Sequence, residues 1–151
     1  MKLTTKGRYA VTAMLDIAMH QAQGPVRVGD IASRQAISES YLEQIVGRLK
    51  RAALLESQKG PGGGYCLGAP LGQISIATII STVGEGVDAT RCAGKADCLG
   101  GHTCMTHNLW ADLSDQLNRF LEGISLADLV AKQRSCNDDV STPERIGATL
   151  L

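Results

Sequence analysis

A chain of 151 residues suits one compact domain with a small appendage and buries a core without disulfides; with only 3% aromatic residues, that core is expected to be aliphatic and Met-rich. Net charge is zero but unevenly laid out. Residues 1–70 hold nine Lys/Arg against five Asp/Glu and residues 71–151 six against ten, which points to a polyanion bound by the first half. No apolar run approaches a membrane span and the N-terminus lacks the core of a secretion signal, so a cytoplasmic protein with no membrane partner is expected, and its five cysteines argue for metal or redox chemistry over disulfides.

Thr4 or Thr5 caps a first helix that runs to about Gln23, with Val11, Met14, Leu15, Ala18 and Ala22 as its apolar face and Gly24-Pro25 as its stop. A short helix over Val28–Gln35 turns Ile31 and Ala32 inward. Ser38 precedes a third helix, about Glu39 to Ala53, with Leu42, Ile45, Val46 and Leu49 facing the core. Strands at Leu55–Gln58 and Tyr65–Leu67 flank the stretch Lys59-Gly60-Pro61-Gly62-Gly63-Gly64, a hairpin with a glycine-rich tip. A helix follows at Ile76 to Val83. Residues 84–104 have no apolar period and read as loop. A long helix from about Met105 to Glu122 carries Leu109, Leu113, Leu117, Phe120 and Leu121 on one side, with Trp110 beside them. Ser125 caps a last helix to about Arg134, and the polar segment 135–151 reads as a tail disordered in part.

This order predicts a mainly α fold with a small β-hairpin wing. A winged helix-turn-helix spans residues 1–70, and a loop and dimerisation helices span 71–134. The third helix is the one to enter a DNA major groove. Gln44 suits adenine, Glu43 accepts from cytosine, and Arg48 suits guanine or phosphate, with Arg51 on the same polar face. Ser38, Ser40 and Tyr41 lie near the N-terminus of that helix, where hydroxyls and N–H groups bind phosphate. Lys59 at the hairpin tip reaches a phosphate or the minor groove, and Gly60 and Gly62 let the backbone approach. An arginine in place of Lys59 would enter a narrow minor groove more favourably. Glu43 is repelled by phosphates wherever it lacks a donor, so it is expected to act as a selectivity filter.

The second constellation is Cys92-x5-Cys98-x5-Cys104-x2-His107, four soft donors in a polar, Gly-rich segment. Three thiolates and an imidazole suit zinc or an iron–sulfur cluster, not magnesium or calcium. The spacing lacks zinc-finger knuckles and is not a ferredoxin run, so it leaves the two open. Cys66 reads as structural in the wing strand, and Cys136, His20 and His102 lack a comparable context. A thiol redox enzyme using Cys92 or Cys98 is a weaker alternative, since no Cys-x2-Cys is present.

The segments LTTKGRYAVTAMLDIA, SESYLEQIVGRLKRAALL, KGPGGGYCLG and VDATRCAGKADCLGGHTCMTHNLWADLSD together resemble the Rrf-type winged-helix regulators, and within them the iron–sulfur regulators, from Met1 to about Val130. The resemblance implies no enzyme. It implies a homodimeric repressor and activator that binds promoter DNA and controls iron–sulfur assembly genes. It also implies one [2Fe–2S] cluster per protomer, held by Cys92, Cys98, Cys104 and His107 and supplied by the assembly machinery. The long helix, paired with its twin across a two-fold axis, would form the dimer.

Overall fold

The computed structural model describes residues 3–140. Six α-helices and one antiparallel hairpin follow in the order α1 (Thr5–His20), α2 (Val28–Gln35), α3 (Glu39–Arg51), β1 (Leu55–Gln58), β2 (Gly64–Leu67), α4 (Ile76–Thr82), α5 (His107–Glu122) and α6 (Leu126–Val140). Short 3-10 turns at Gln21–Gln23 and Leu71–Gln73 complete the description. Helix, helix, helix and hairpin is the winged helix-turn-helix order expected from the sequence.

The core is aliphatic. Ala10, Ala13, Met14 and Ile17 of α1 meet Ile31 of α2, Leu42, Ile45, Val46 and Leu49 of α3, and Leu55 of β1. Among the described residues it is not Met-rich: Met14 is the one methionine in it, Met19 packs at its margin, and Met105 is fully exposed. The same core takes in Ile74, Ile76, Ile79, Ile80 and Val83 around α4 and Leu126 and Val130 of α6, so it continues across the boundary expected at residue 70. The inward face of α1 differs from the expected one. Alanines let the neighbouring helices approach at Ala10 and Ala13, while Val11 and Leu15 are half-buried beside Gln133 and Asn137 of α6, and Ala22 is exposed in the 3-10 turn.

Polar side chains fasten the ends of these helices. Buried Asp16 of α1 accepts from Arg34 Nε and Nη2 at 3.0 and 2.6 Å and from Gln35 Nε2 at 2.9 Å, pinning α2 to α1. Thr4 is the N-cap of α1, but the cap is completed from the far end of α4. The Thr4 hydroxyl donates to Glu85, and the Gly7 N–H donates to Glu85 Oε2 at 3.0 Å. Ser75 caps α4 directly, accepting from the Thr78 N–H at 3.1 Å.

In the wing, Leu55 pairs with Leu67, Glu56 with Cys66, Ser57 with Tyr65 and Gln58 with Gly64. Val26 bridges to Tyr65 on the outer edge of β2 through two backbone bonds of 2.9 and 2.8 Å. Gly64 permits this bridge, because a Cβ there would stand 2.6 Å from the Val26 carbonyl oxygen. The turn residues Gly60 and Gly62 have φ of 97° and 74°, a region open to glycine at little cost.

The loop expected over residues 84–104 carries no helix or strand and extends to 106, so α5 starts at His107 instead of Met105. The last helix does not stop at Arg134. It runs to Val140, through the first part of the segment read as tail, with Ser135 donating to the Ala131 carbonyl at 3.1 Å. Ser135, Cys136, Asn137 and Asp138 are exposed along it, and no Gly or Pro breaks the helix. The rest of that expectation, 141–151, lies outside the described residues.

Candidate metal centre and nucleic-acid interface

The loop brings three of the four expected ligands together. Cys98 Sγ lies 3.5 Å from Cys92 Sγ and 3.3 Å from His107 Nδ1, and Cys92 Sγ lies 3.5 Å from the same nitrogen. All three donor atoms fall within 4.8 Å of one another. His107 is the first residue of α5 and is buried, so the helix presents the imidazole as a fixed point while both sulfurs come from the loop. Cys104 adjoins Cys98 but stands outside the three-donor group, its Sγ turned to within 3.9 Å of Thr106 Oγ1.

The thiols sense one another. Desolvation raises the Cys92 thiol, but hydrogen bonds from the Cys98 thiol and the Ala96 and Asp97 amides bring it down to about 7, within reach of the thiolate a soft metal requires. The Cys104 amide lowers Cys98, yet desolvation and the thiols of Cys104 and Cys92 hold it above its ordinary value. The Cys98 side chain lowers Cys104. With no carboxylate in the donor group, the set fits zinc or an iron–sulfur cluster and not a hard cation.

Behind the donors, α5 grips the incoming strand of the loop with polar groups. Ser114, only 8% exposed, accepts from the Ala89 N–H at 2.8 Å, and Asn118 Nδ2 donates to the Val87 carbonyl at 3.4 Å. The other side of α5 is inverted in polarity: Leu109 is 59% and Phe120 64% exposed, with Trp110 and Leu113 between them.

The DNA-reading candidates separate into three groups. Ser40, Glu43, Gln44 and Arg51 are exposed on the outer face of α3, with Ser38 at its N-cap bonded to the Ser40 hydroxyl at 3.0 Å. Lys59, Gly60 and Gly62 are exposed at the wing tip. Tyr41 and Arg48 are partly engaged elsewhere. The Tyr41 ring packs edge-on against Tyr9 at 5.9 Å, and Arg48 Nη1 donates to the Val83 carbonyl at 3.1 Å, tying α3 to the end of α4. A groove of about 720 Å³ runs between α2, α3 and β2, lined by Arg27, Asp30, Glu39, Glu43, Gly64 and Tyr65.

Comparison with known proteins agrees with this arrangement. The family model Rrf2, described as an iron-dependent transcriptional regulator, matches residues 3–132. The chain belongs to the Rrf2 family. It is 57% identical to the HTH-type transcriptional regulator IscR of Xenorhabdus nematophila over 133 residues, covering 88% of this chain and 81% of that protein. Among solved structures it is similar to T. potens IscR, with a TM-score of 0.73 and 33% identity over 95% of this chain and 93% of that one. It is also similar to CymR, the global cysteine regulator of B. subtilis, with a TM-score of 0.75 and 31% identity over 87% and 98%. The protein is therefore a DNA-binding transcriptional regulator of the winged-helix Rrf2 kind and not an enzyme. Among the described residues, no helix is long and apolar enough to cross a membrane.

Sequence reasoning missed Glu85, Ser114 and the ion pair between buried Asp16 and Arg34. Asp88-x-Thr90, a pattern typical of side chain-to-backbone turns, was the available signal for the root of the loop. Nothing local marked Ser114 or Glu85.

Proposed function

We propose that this Rrf2 regulator is a cytoplasmic homodimer that holds one [2Fe–2S] cluster per protomer through Cys92, Cys98, Cys104 and His107. The cluster's presence would select among promoters of iron–sulfur assembly genes. The observation that carries the reading is the convergence of two loop sulfurs on the His107 ring with no hard donor among them. When bound, a cluster supplies a soft, iron-dependent group whose occupancy follows delivery by the assembly machinery. The iron-dependent description of the family favours it over zinc.

The chain's own residues account for the rest. His107 in place of a fourth thiolate makes the ligand set less negative and more easily vacated. The exposed apolar face of α5 suits pairing with a second copy, which sets two α3 helices on one duplex. Ser40, Gln44 and Arg51 then face base edges and phosphates, and Lys59 reaches a phosphate or the minor groove. Glu43 penalises sites that offer it no donor. Repression follows from occupying a promoter, and activation from binding a different class of site.

Anaerobic purification tests this directly. The expected protein is coloured and contains iron, and selects different DNA sequences when loaded and when stripped. Colourless, iron-free protein from an iron-replete host overturns the cluster. Zinc in its place supports the second reading, a structural Cys3His zinc, which the donor set also accommodates. Leu113→Glu with Phe120→Glu is expected to give monomers by sedimentation. A dimer that survives both changes removes α5 as the interface.

A further inference from the structure

Thr90 lies two residues before Cys92, and its hydroxyl makes two hydrogen bonds of opposite sense. It donates to Asp88 Oδ1 at 2.6 Å and accepts from the Gly94 N–H at 2.7 Å. Gly94 lies two residues after Cys92, so one oxygen atom spans the turn that carries the sulfur. That turn is tight. The Lys95 N–H donates to the Cys92 carbonyl at 3.2 Å, and Ala93 and Gly94 are both left-handed, with φ of 52° and 78°. A left-handed alanine is disfavoured on its own and persists only where its surroundings over-determine it.

The root of the turn is fixed to α5. Asp88 Oδ1 accepts a second bond from the Thr90 N–H at 2.7 Å and lies 3.4 Å from the Ser114 hydroxyl. Ser114 takes the Ala89 N–H and donates to the Trp110 carbonyl at 2.8 Å. Ser114 stands two turns beyond His107 on the same buried side of α5. One helix thus presents the imidazole and also anchors the turn that presents the facing sulfur. None of Asp88, Thr90 and Ser114 belongs to the donor group.

We infer that Thr90, held between Asp88 and Gly94 and anchored through Ser114, is a positioning residue that sets Cys92 opposite His107 and thereby fixes the site's affinity for a soft metal. The inference rests on the metal-site reading above. A loop already shaped for its ligand loses less freedom on binding, and partners behind metal ligands typically contribute 10–100-fold to affinity.

The test is an anaerobic cobalt(II) titration of the reduced, metal-free full-length protein, followed by the thiolate-to-cobalt charge-transfer band. Thr90→Val, which removes donor and acceptor together, is expected to weaken cobalt binding by about tenfold. Thr90→Ser, which keeps the oxygen, should restore affinity to within about twofold of the parent. Both should reach the parent band intensity at saturation, because no sulfur is lost. Parent-like affinity in Thr90→Val, or equal weakening in Thr90→Ser, overturns the inference. Should Thr90→Val fail to fold, Ser114→Ala is judged by the same loss of affinity, and parent-like binding there overturns it. A parent protein that gives no charge-transfer band overturns the metal-site reading itself.

Discussion

The reading head and the cysteine loop are neighbours in one chain, ordered by different forces. In the head, Met14, Ile17, Leu42, Ile45 and Leu49 lose essentially all contact with water, and α3 is fixed by that apolar packing. Between residues 84 and 106, Val87 is the one buried apolar side chain, and shape comes from Asp88, Thr90, Ser114 and the sulfurs around His107. Apolar burial gives a fixed platform for reading DNA. Hydrogen bonds and donor atoms give a segment whose order depends on what its sulfurs hold, which is the property a sensor needs.

The largest break in that comparison is a hole in the head. Leu49→Ala should cost about 3 kcal/mol in urea unfolding, whereas Cys98→Ala in the metal-free protein should cost under about 0.5 kcal/mol while eliminating tight metal binding. Equal losses would mean that the loop and head share one core. Asp16→Ala should cost less, about 1.5–3 kcal/mol for its lost charged hydrogen bonds, because the Arg34 left behind is exposed to water.

Acid attacks the same joint. Burial raises Asp16, but hydrogen bonds from Arg34 and Gln35 and the charges of Arg34 and His20 leave it below its ordinary value. A carboxylate depressed in the fold stabilises it above the unfolded value of about 3.9, and that contribution disappears as pH falls through the folded value. Stability should therefore drop below about pH 4, and Asp16→Asn should flatten the drop. An unchanged slope in the variant would assign the acid sensitivity elsewhere.

Smaller effects sharpen the contrast at helix ends. Ser75→Ala should cost about 1 kcal/mol by uncapping α4. Ala36, left-handed with φ of 53° at the end of α2, should gain about 0.5–1 kcal/mol on change to Gly, read as a higher Tm.

Sequence made α3 legible because four large aliphatics repeat at helical spacing against a fully polar face. It misplaced the face of α1 because alanine carries little hydrophobic signal, and close approach of helices at Ala10 and Ala13 is a tertiary fact. The cap on α1 was invisible, since its acceptor, Glu85, comes from the other end of α4. Cysteine spacing pointed to Cys92, Cys98 and His107, which the fold brings together, because that reading requires only residue types near one another in sequence. That Cys104 adjoins Cys98 yet falls outside the group formed with Cys92 and His107 depends on the path of the loop, which spacing does not encode.

The wing is seized at its base and open at its point: Gly64 lies flat on Val26 with no room for a side chain, while Gly60 and Gly62 have empty space about them. Such a ribbon behaves as a finger with a compliant tip. In the proposed complex, differences in width from one duplex to another would be taken up around Lys59, leaving the pitch of α3 undisturbed and the body unstrained.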